Sequence, residues 1–238
     1  LHTLVSRYPE AIFRIDWQTA ALQQDKGRAI LALPECTVVP QQLILAAGAG
    51  NEDLISSLGA DAPAMQRRPL QQVMVAHQYP QPLFAHCLGN RSSPRLTVAS
   101  HHTSSGEPVW YLGGDLATEG ADEEPDRLID RAKAELAELL PWVELGECRW
   151  STVRLDRAEP RQSALLRPDS AFAGKVVGLD NTLAAWPTKL TLSPDLADQV
   201  EAELTAAAIT PRHQPDLQCL GSLGRPPVAQ SYWDRVFQ

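Results

Sequence analysis

A continuous apolar run, residues 43–47 (Leu-Ile-Leu-Ala-Ala), ends in Gly48-Ala49-Gly50. A run of this kind predicts a strand buried on both faces. The small residues after it let the backbone approach something flat or charged. Residues 11–16 and 29–33 also read as strands. Between them a polar stretch ends in the turn Asp25-Lys26-Gly27, and a short strand at 37–39 leads to Leu43. Residues 51–59 predict a short helix, with Asn51 as cap, acids in the first turn and Gly59 past the end. From Arg68 the texture changes. Residues 73–75, 82–88, 95–99 and 109–114 are strand-like and separated by turn residues, which predicts an antiparallel meander. Pro125 opens a helix striped by Leu128, Ile129, Ala132, Leu136, Leu139 and Leu140, and Pro141 stops it. A strand follows at 148–155. Residues 175–179 and 181–186 then read as a hairpin turning at Asp180-Asn181. A last helix is expected from Ser193, a cap, to about Ala208. The proline- and glycine-rich tail from Pro211 is expected to be irregular.

This order predicts an α+β fold: a mixed or antiparallel sheet with helices on one face, plus a small partial nucleotide-binding region. The division expected is 1–59, 60–210 and an irregular tail at 211–238. Composition narrows the function classes. The chain has 238 residues, 44% hydrophobic, with 21 Lys+Arg against 29 Asp+Glu. A net charge of -8 argues against nucleic acid and against an anionic membrane surface. Cys36, Cys87, Cys148 and Cys219 form no Cys-x-x-Cys pair. Four reduced thiols in the cytoplasm are therefore expected. No segment is apolar for long enough to span a bilayer. The start at Leu1, without a signal-peptide pattern, reads as the edge of a fragment.

The order of elements over residues 10–205 resembles the C-terminal, substrate-domain portion of the D-amino-acid-oxidase-type FAD oxidoreductases. The nearest branch is that of the FAD-dependent glycerol-3-phosphate dehydrogenases. The strand ending in Gly48-Ala49-Gly50 is similar to that family's second nucleotide-contacting strand. The branch carries Gly-Gly-Lys-Leu-Thr-Thr before its last helix. Here Pro187-Thr188-Lys189-Leu190-Thr191 keeps the lysine, the leucine and the first threonine and replaces both glycines. Thr152-Val153-Arg154-Leu155 loosely fits the family's Gly-x-Arg-Pro segment. The Gly-x-Gly-x-x-Gly turn that holds the pyrophosphate is missing from these residues.

The resemblance implies FAD as cofactor and a partner, the N-terminal FAD-binding half. It also implies a small anionic hydroxy or amino substrate, like glycerol 3-phosphate, giving hydride to the flavin, with a membrane-peripheral or quinone acceptor. Without the pyrophosphate turn, these residues alone are expected to bind FAD poorly and to be inactive. Gly48, Ala49, Gly50, Thr188, Lys189 and Leu190 would contact the cofactor. Lys189 would lie beside flavin and substrate, where a cation stabilises charge that builds up on reduction; otherwise it is a solvated lysine ahead of a helix. Arg154 would pair with the anionic end of the substrate, or else form an ion pair with Asp156 or Glu159. His101 or His102 is a candidate base, and strand alternation lets only one of them face a given side. Gln71 stands where the family often carries histidine. His77, His86, Cys87, His101 and His102 match no ligand spacing, so no metal is expected. Trp110, Tyr111 and Trp186 read as core more readily than as pocket lining. The reading from a different class is a non-catalytic binding or assembly domain that keeps the substrate-domain architecture.

Overall fold

In the computed structural model, residues 1–161, 170–210 and 218–237 are described. The chain opens with α1 (His2–Arg7), β1 (Ala21–Asp25), β2 (Arg28–Ala32), β3 (Thr37–Val38) and β4 (Leu43–Leu45). A single 3₁₀ turn (Gly48–Gly50) leads into α2 (Asn51–Ser57). Next come β5 (Met65–Ala76), β6 (Phe84–Leu88), β7 (Pro94–His102), β8 (Pro108–Gly113), α3 (Asp115–Glu119) and α4 (Pro125–Leu139). The last elements are β9 (Arg149–Pro160), β10 (Phe172–Lys175), β11 (Thr182–Trp186), α5 (Ser193–Ala206) and α6 (Tyr232–Val236). Among the described residues no helix is long and apolar enough to cross a membrane.

The chain divides into two compact units, Leu1–Arg67 with Ala158–Val228, and Arg68–Arg157 with Ala229–Gln238. The contiguous division at 59 and 210 gives way to this discontinuous one. The reason lies in the strand pairing. β11 runs parallel to β4, so residues distant in sequence complete the first unit.

The first unit holds two three-stranded sheets, β1-β2-β3 and β10-β11-β4. Lys26 and Gly27 both take positive φ (48° and 79°). That is the geometry of a tight two-residue hairpin, and it fixes the pairing Asp25↔Arg28. β1 is the polar stretch, of which only Leu22 is buried. The strand expected at 11–16 does not form: the Arg14 N–H donates to the Gly224 carbonyl (2.8 Å) instead of to a sheet neighbour. β4 is an edge strand, and of its three residues only Leu45 is buried, so it is not covered on both faces. Residues 176–179 are not a strand either. Val176 and Leu179 dip into the core as part of the β10–β11 connection, alongside Leu45, Ile55, Leu58, Met65, Ala184 and Trp186.

The second unit is built on the antiparallel strands of a five-stranded sheet ordered β6-β7-β8-β5-β9. β6, β7 and β8 form the expected antiparallel meander, but β5, expected at its start, is internal, between β8 and β9. Val73, Val75, Leu96, Val98, Trp110 and Leu112 from the sheet meet Leu128, Ala132 and Leu136 of α4. The four-residue spacing of those helix positions puts them on one stripe. Each leucine so buried contributes about 1.5–3 kcal/mol. α3 and α6 lack a clear sequence pattern. α6 falls in the tail expected to be irregular, of which residues 211–217 lie outside the described residues. Trp233 of α6 and the following Phe237 cover Met74, Ala76 and Val109.

Candidate functional site

β4 and β11 are parallel, pairing Leu43↔Thr182, Ile44↔Leu183 and Leu45↔Ala184. Their carboxyl ends therefore lie at the same edge, the place where α/β folds put ligands. Two side chains fasten the segments that leave this edge. The Trp186 indole, fully buried, donates from Nε1 to the Gly48 carbonyl (3.0 Å). Asn51, also fully buried, accepts at Oδ1 from the Ala47 N–H (2.7 Å) and donates from Nδ2 to the Ala185 carbonyl (3.1 Å). Asn51 thus ties the loop together. It does not cap α2, whose N-cap position is Gly50. The structure brings Gly48, Ala49 and Gly50 to the same sheet edge as Thr188, Lys189 and Leu190. The edge is walled by small groups: Ala46 and Ala47 are exposed, and Gly48 is partly so. Gly48 has φ +59°, and a Cβ built there meets nothing within 4 Å. With no side chain over Gly48, the backbone here is open to a planar ring, which fits contact with part of an FAD.

Thr188 stands in a backbone conformation that favours glycine. Its φ is +57°, the left-handed region. A β-branched residue there carries about 1–2 kcal/mol of strain. Its hydroxyl compensates by donating to the carbonyls of Ser170 (2.9 Å) and Pro187 (2.7 Å). Thr188→Asn keeps a polar side chain and removes the branch. It should raise stability by about 0.5–1 kcal/mol, read as a higher urea midpoint; a lower midpoint would contradict the strain. Lys189 is half-buried and Leu190 is exposed just before α5. Ser193, expected to cap that helix, instead donates through Oγ to the Leu190 carbonyl (2.7 Å), and the N-cap is Leu192.

The other candidates lie in the second unit. Arg154 on β9 is exposed and pairs with Asp122, not with Asp156 or Glu159. An exposed pair of this type contributes little stability, about 0–1 kcal/mol, and exchanges readily for another anion. His101 on β7 stacks on Trp233 (centroids 4.1 Å, 19° between planes) and meets the edge of Tyr111 at 6.3 Å. Burial, then the charge of neighbouring His102, lowers the His101 pKa, so the ring is neutral at neutral pH. Burial likewise pushes the Tyr111 hydroxyl up to about 12. His102 is exposed, and its carbonyl accepts from Trp233 Nε1 (3.0 Å). β8 and β5 separate β7 from β9. Three strand spacings put the His101 and Arg154 strands about 14 Å apart. Gln71 is buried and donates to Thr152 Oγ1 (3.1 Å), a link between β5 and β9.

Sequence reasoning passed over His77 as a proton-handling group. It is buried, and its Nδ1 accepts from the Tyr79 N–H (3.1 Å), which leaves the proton of the neutral ring on Nε2. Burial, then His102, lowers its pKa. With Ser100, His101 and His102 it lines a small cavity of about 80 Å³. An isolated histidine after a strand gives no sequence signal of such a cavity.

The fold is that of an FAD-dependent oxidoreductase domain. The chain is similar to the FAD-dependent oxidoreductase PA4991 of Pseudomonas aeruginosa. The sequences are 47% identical over 217 residues, covering 91% of this chain and 54% of that protein. Against the PA4991 crystal structure the TM-score is 0.86 at 42% identity, over 99% of this chain and 64% of that one. The chain thus spans about half the length of the curated relative it matches, and by sequence it corresponds to that part of PA4991. Iminodiacetate oxidase of Chelativorans sp. BNC1 shares the fold at 16% identity and a TM-score of 0.53, over 85% of this chain and 51% of that one. No protein-family model matches the chain.

Proposed function

We propose that the protein carrying this chain uses FAD to oxidise a small hydroxy or amino compound with an anionic end, of the glycerol-3-phosphate kind. The observation that carries the reading is the shared edge at the ends of β4 and β11. There a small-residue turn and a lysine segment are fastened by Trp186 and Asn51. The similarity to PA4991 supports the cofactor. Bound FAD supplies the hydride acceptor. Gly48, Ala49 and Gly50 hold the backbone clear for a planar ring, and Thr188, Lys189 and Leu190 flank it. The Lys189 ammonium offsets negative charge that develops there. In the second unit, the exposed Arg154 can exchange Asp122 for a carboxylate or a phosphate. His101, on a strand about 14 Å from that of Arg154, is too far away to serve the same small molecule.

The complete gene product, purified, should be yellow. It should reduce an artificial electron acceptor with some members of a panel of hydroxy acids, amino acids and sugar phosphates. Lys189→Met should lower kcat/KM about 10²-fold with the flavin still bound. Arg154→Met should raise KM for anionic substrates and leave neutral analogues unchanged. A colourless protein, or a Lys189→Met variant with unaltered kinetics, would defeat the reading.

A further inference from the structure

The end of α4 and the loop that follows it enclose an apolar groove that the flavin reading leaves unused. Its volume is about 330 Å³, and Leu136, Leu140, Val143, Leu145 and Trp150 wall it. All of them belong to the second unit. None of the residues assigned to flavin or substrate lines it. The walls are set without a ligand. Leu136 and Leu140 are anchored in the core beneath α4. The loop is pinned at two points: the Val143 N–H donates to the Leu140 carbonyl (2.9 Å), and the Gln78 N–H donates to the Leu145 carbonyl (2.8 Å). Trp150 stands half-buried at the start of β9. The floor includes the Trp110 indole, which is 1% exposed and whose Nε1 N–H has no hydrogen-bond partner among the described residues. Lys133 of α4 is the one ionisable side chain among the described residues that line the groove. Its Nζ lies 5.8 Å from the Trp150 ring centre and 3.1 Å from Asp130 Oδ1, in a pair whose two side chains are both well exposed.

We propose that this groove binds a small aromatic carboxylate of about two fused rings. Size sets the first term. A cavity of about 150 Å³ holds one benzene ring, so 330 Å³ holds two. Nine residues line the groove, against about 20–30 on each side of a stable protein interface. A small molecule therefore fits it and a protein partner does not. The lining sets the second term. The ring system lies against the apolar walls and the Trp150 face. Charge sets the third. Lys133 gives the rim a single positive group, and its exposed pair with Asp130 contributes so little that a ligand carboxylate displaces Asp130 at small cost. Lys133 is six residues before the end of α4, about 9 Å along the axis. The carboxylate is thereby kept clear of the negative end of the helix.

The test labels the six tryptophans of the full chain with nitrogen-15 and follows their indole N–H signals by NMR during titration with 2-naphthoate. Single Trp→Phe variants assign the signals. Those of Trp110 and Trp150 should move together and saturate with a Kd of about 0.1–1 mM. Those of Trp17, Trp186 and Trp233 should stay in place. 2-Naphthamide, which lacks the charge, should bind about five-fold more weakly. Lys133→Met should weaken 2-naphthoate by the same factor and leave 2-naphthamide unchanged, a pattern that general damage to the fold does not produce. Ala137 is exposed and lines the groove. Ala137→Phe therefore fills the space from the rim without entering the core, and should abolish both shifts at an unaltered urea midpoint. Trp110 and Trp150 signals that stay fixed at about 10 mM 2-naphthoate, shifts that survive Ala137→Phe, or equal binding of acid and amide overturns the proposal.

Discussion

Replacing Trp186 with alanine should remove about 3–5 kcal/mol of stability, enough to unfold a large fraction of a marginal domain. Trp186 is completely buried, in the core formed by Leu45, Ile55, Leu58, Met65, Val176 and Leu179. Truncation leaves a cavity the size of an indole, and the strands around it cannot collapse to fill it. A second effect is local. The indole N–H is the donor to the Gly48 carbonyl (3.0 Å), so the turn at the sheet edge loses one of its fastenings. Trp186→Phe separates the two. It keeps most of the packing, including the contact with Phe172 at 5.9 Å, and should cost about 1–2 kcal/mol, mainly for the lost hydrogen bond and partial void. Urea denaturation of both variants measures the difference. An alanine variant within 1 kcal/mol of the parent chain would show that the ring is not the keystone of this core. The complete gene product bearing Trp186→Phe should also hold flavin less tightly.

The strongly patterned parts of the fold were legible. The stripe of α4 and the alternation of Leu96 and Val98 in β7 come from burial of one face, and burial writes itself into the periodicity. Elsewhere the sequence misled, for identifiable reasons. Residues 11–16 look like a strand, but their backbone bonds go to residues 224–225. Val176 and Leu179 are apolar because a connection enters the core, and alternation cannot distinguish that from a strand. β1 is polar because little of it is covered, so its signal was weak.

The site divides in the same way. Gly48 and Lys189 lie far apart in sequence, and the strands that precede them are parallel neighbours. The fastenings themselves were not legible, because they are single polar or aromatic residues whose partners are set by the β4–β11 pairing. Asn51 read as a helix cap but bonds across the edge instead; Trp186 is the core residue it read as, and its indole N–H also bonds across the edge. Arg154 showed the opposite limit. Its partner was sought among sequence neighbours, while the sheet and α3 region supplied Asp122.

Asn181 read as a turn residue, and the consequence of replacing it with leucine is comparable to that at Trp186. The side chain is buried and makes four bonds, the longest accepted at Oδ1 from Thr182 Oγ1 (3.4 Å). Oδ1 accepts from the Ala29 N–H (2.7 Å), and Nδ2 donates to the carbonyls of Ala29 (3.1 Å) and Pro40 (3.0 Å). Ala29 is itself fully buried. Leucine is nearly isosteric, so no large cavity opens. The cost comes from orphaned backbone groups at about 1–3 kcal/mol each, or about 3–5 kcal/mol together. Aspartate tests the same geometry from another direction. One carboxylate oxygen can still accept from Ala29, while the other faces two carbonyls where the amide had donated. Burial and those carbonyls favour the protonated acid, so the folded-state pKa of Asn181→Asp should rise above the unfolded value of about 3.9. Below that unfolded value both states are protonated, and the variant should lie nearest the parent chain. As pH rises through the window up to the raised folded pKa, the folded state must give up a proton it holds more tightly, and the deficit should widen. Urea midpoints of variant and parent taken pairwise across that window measure this widening. A deficit that is constant with pH, or one that narrows as pH rises, would mean that the buried amide does not donate to those carbonyls.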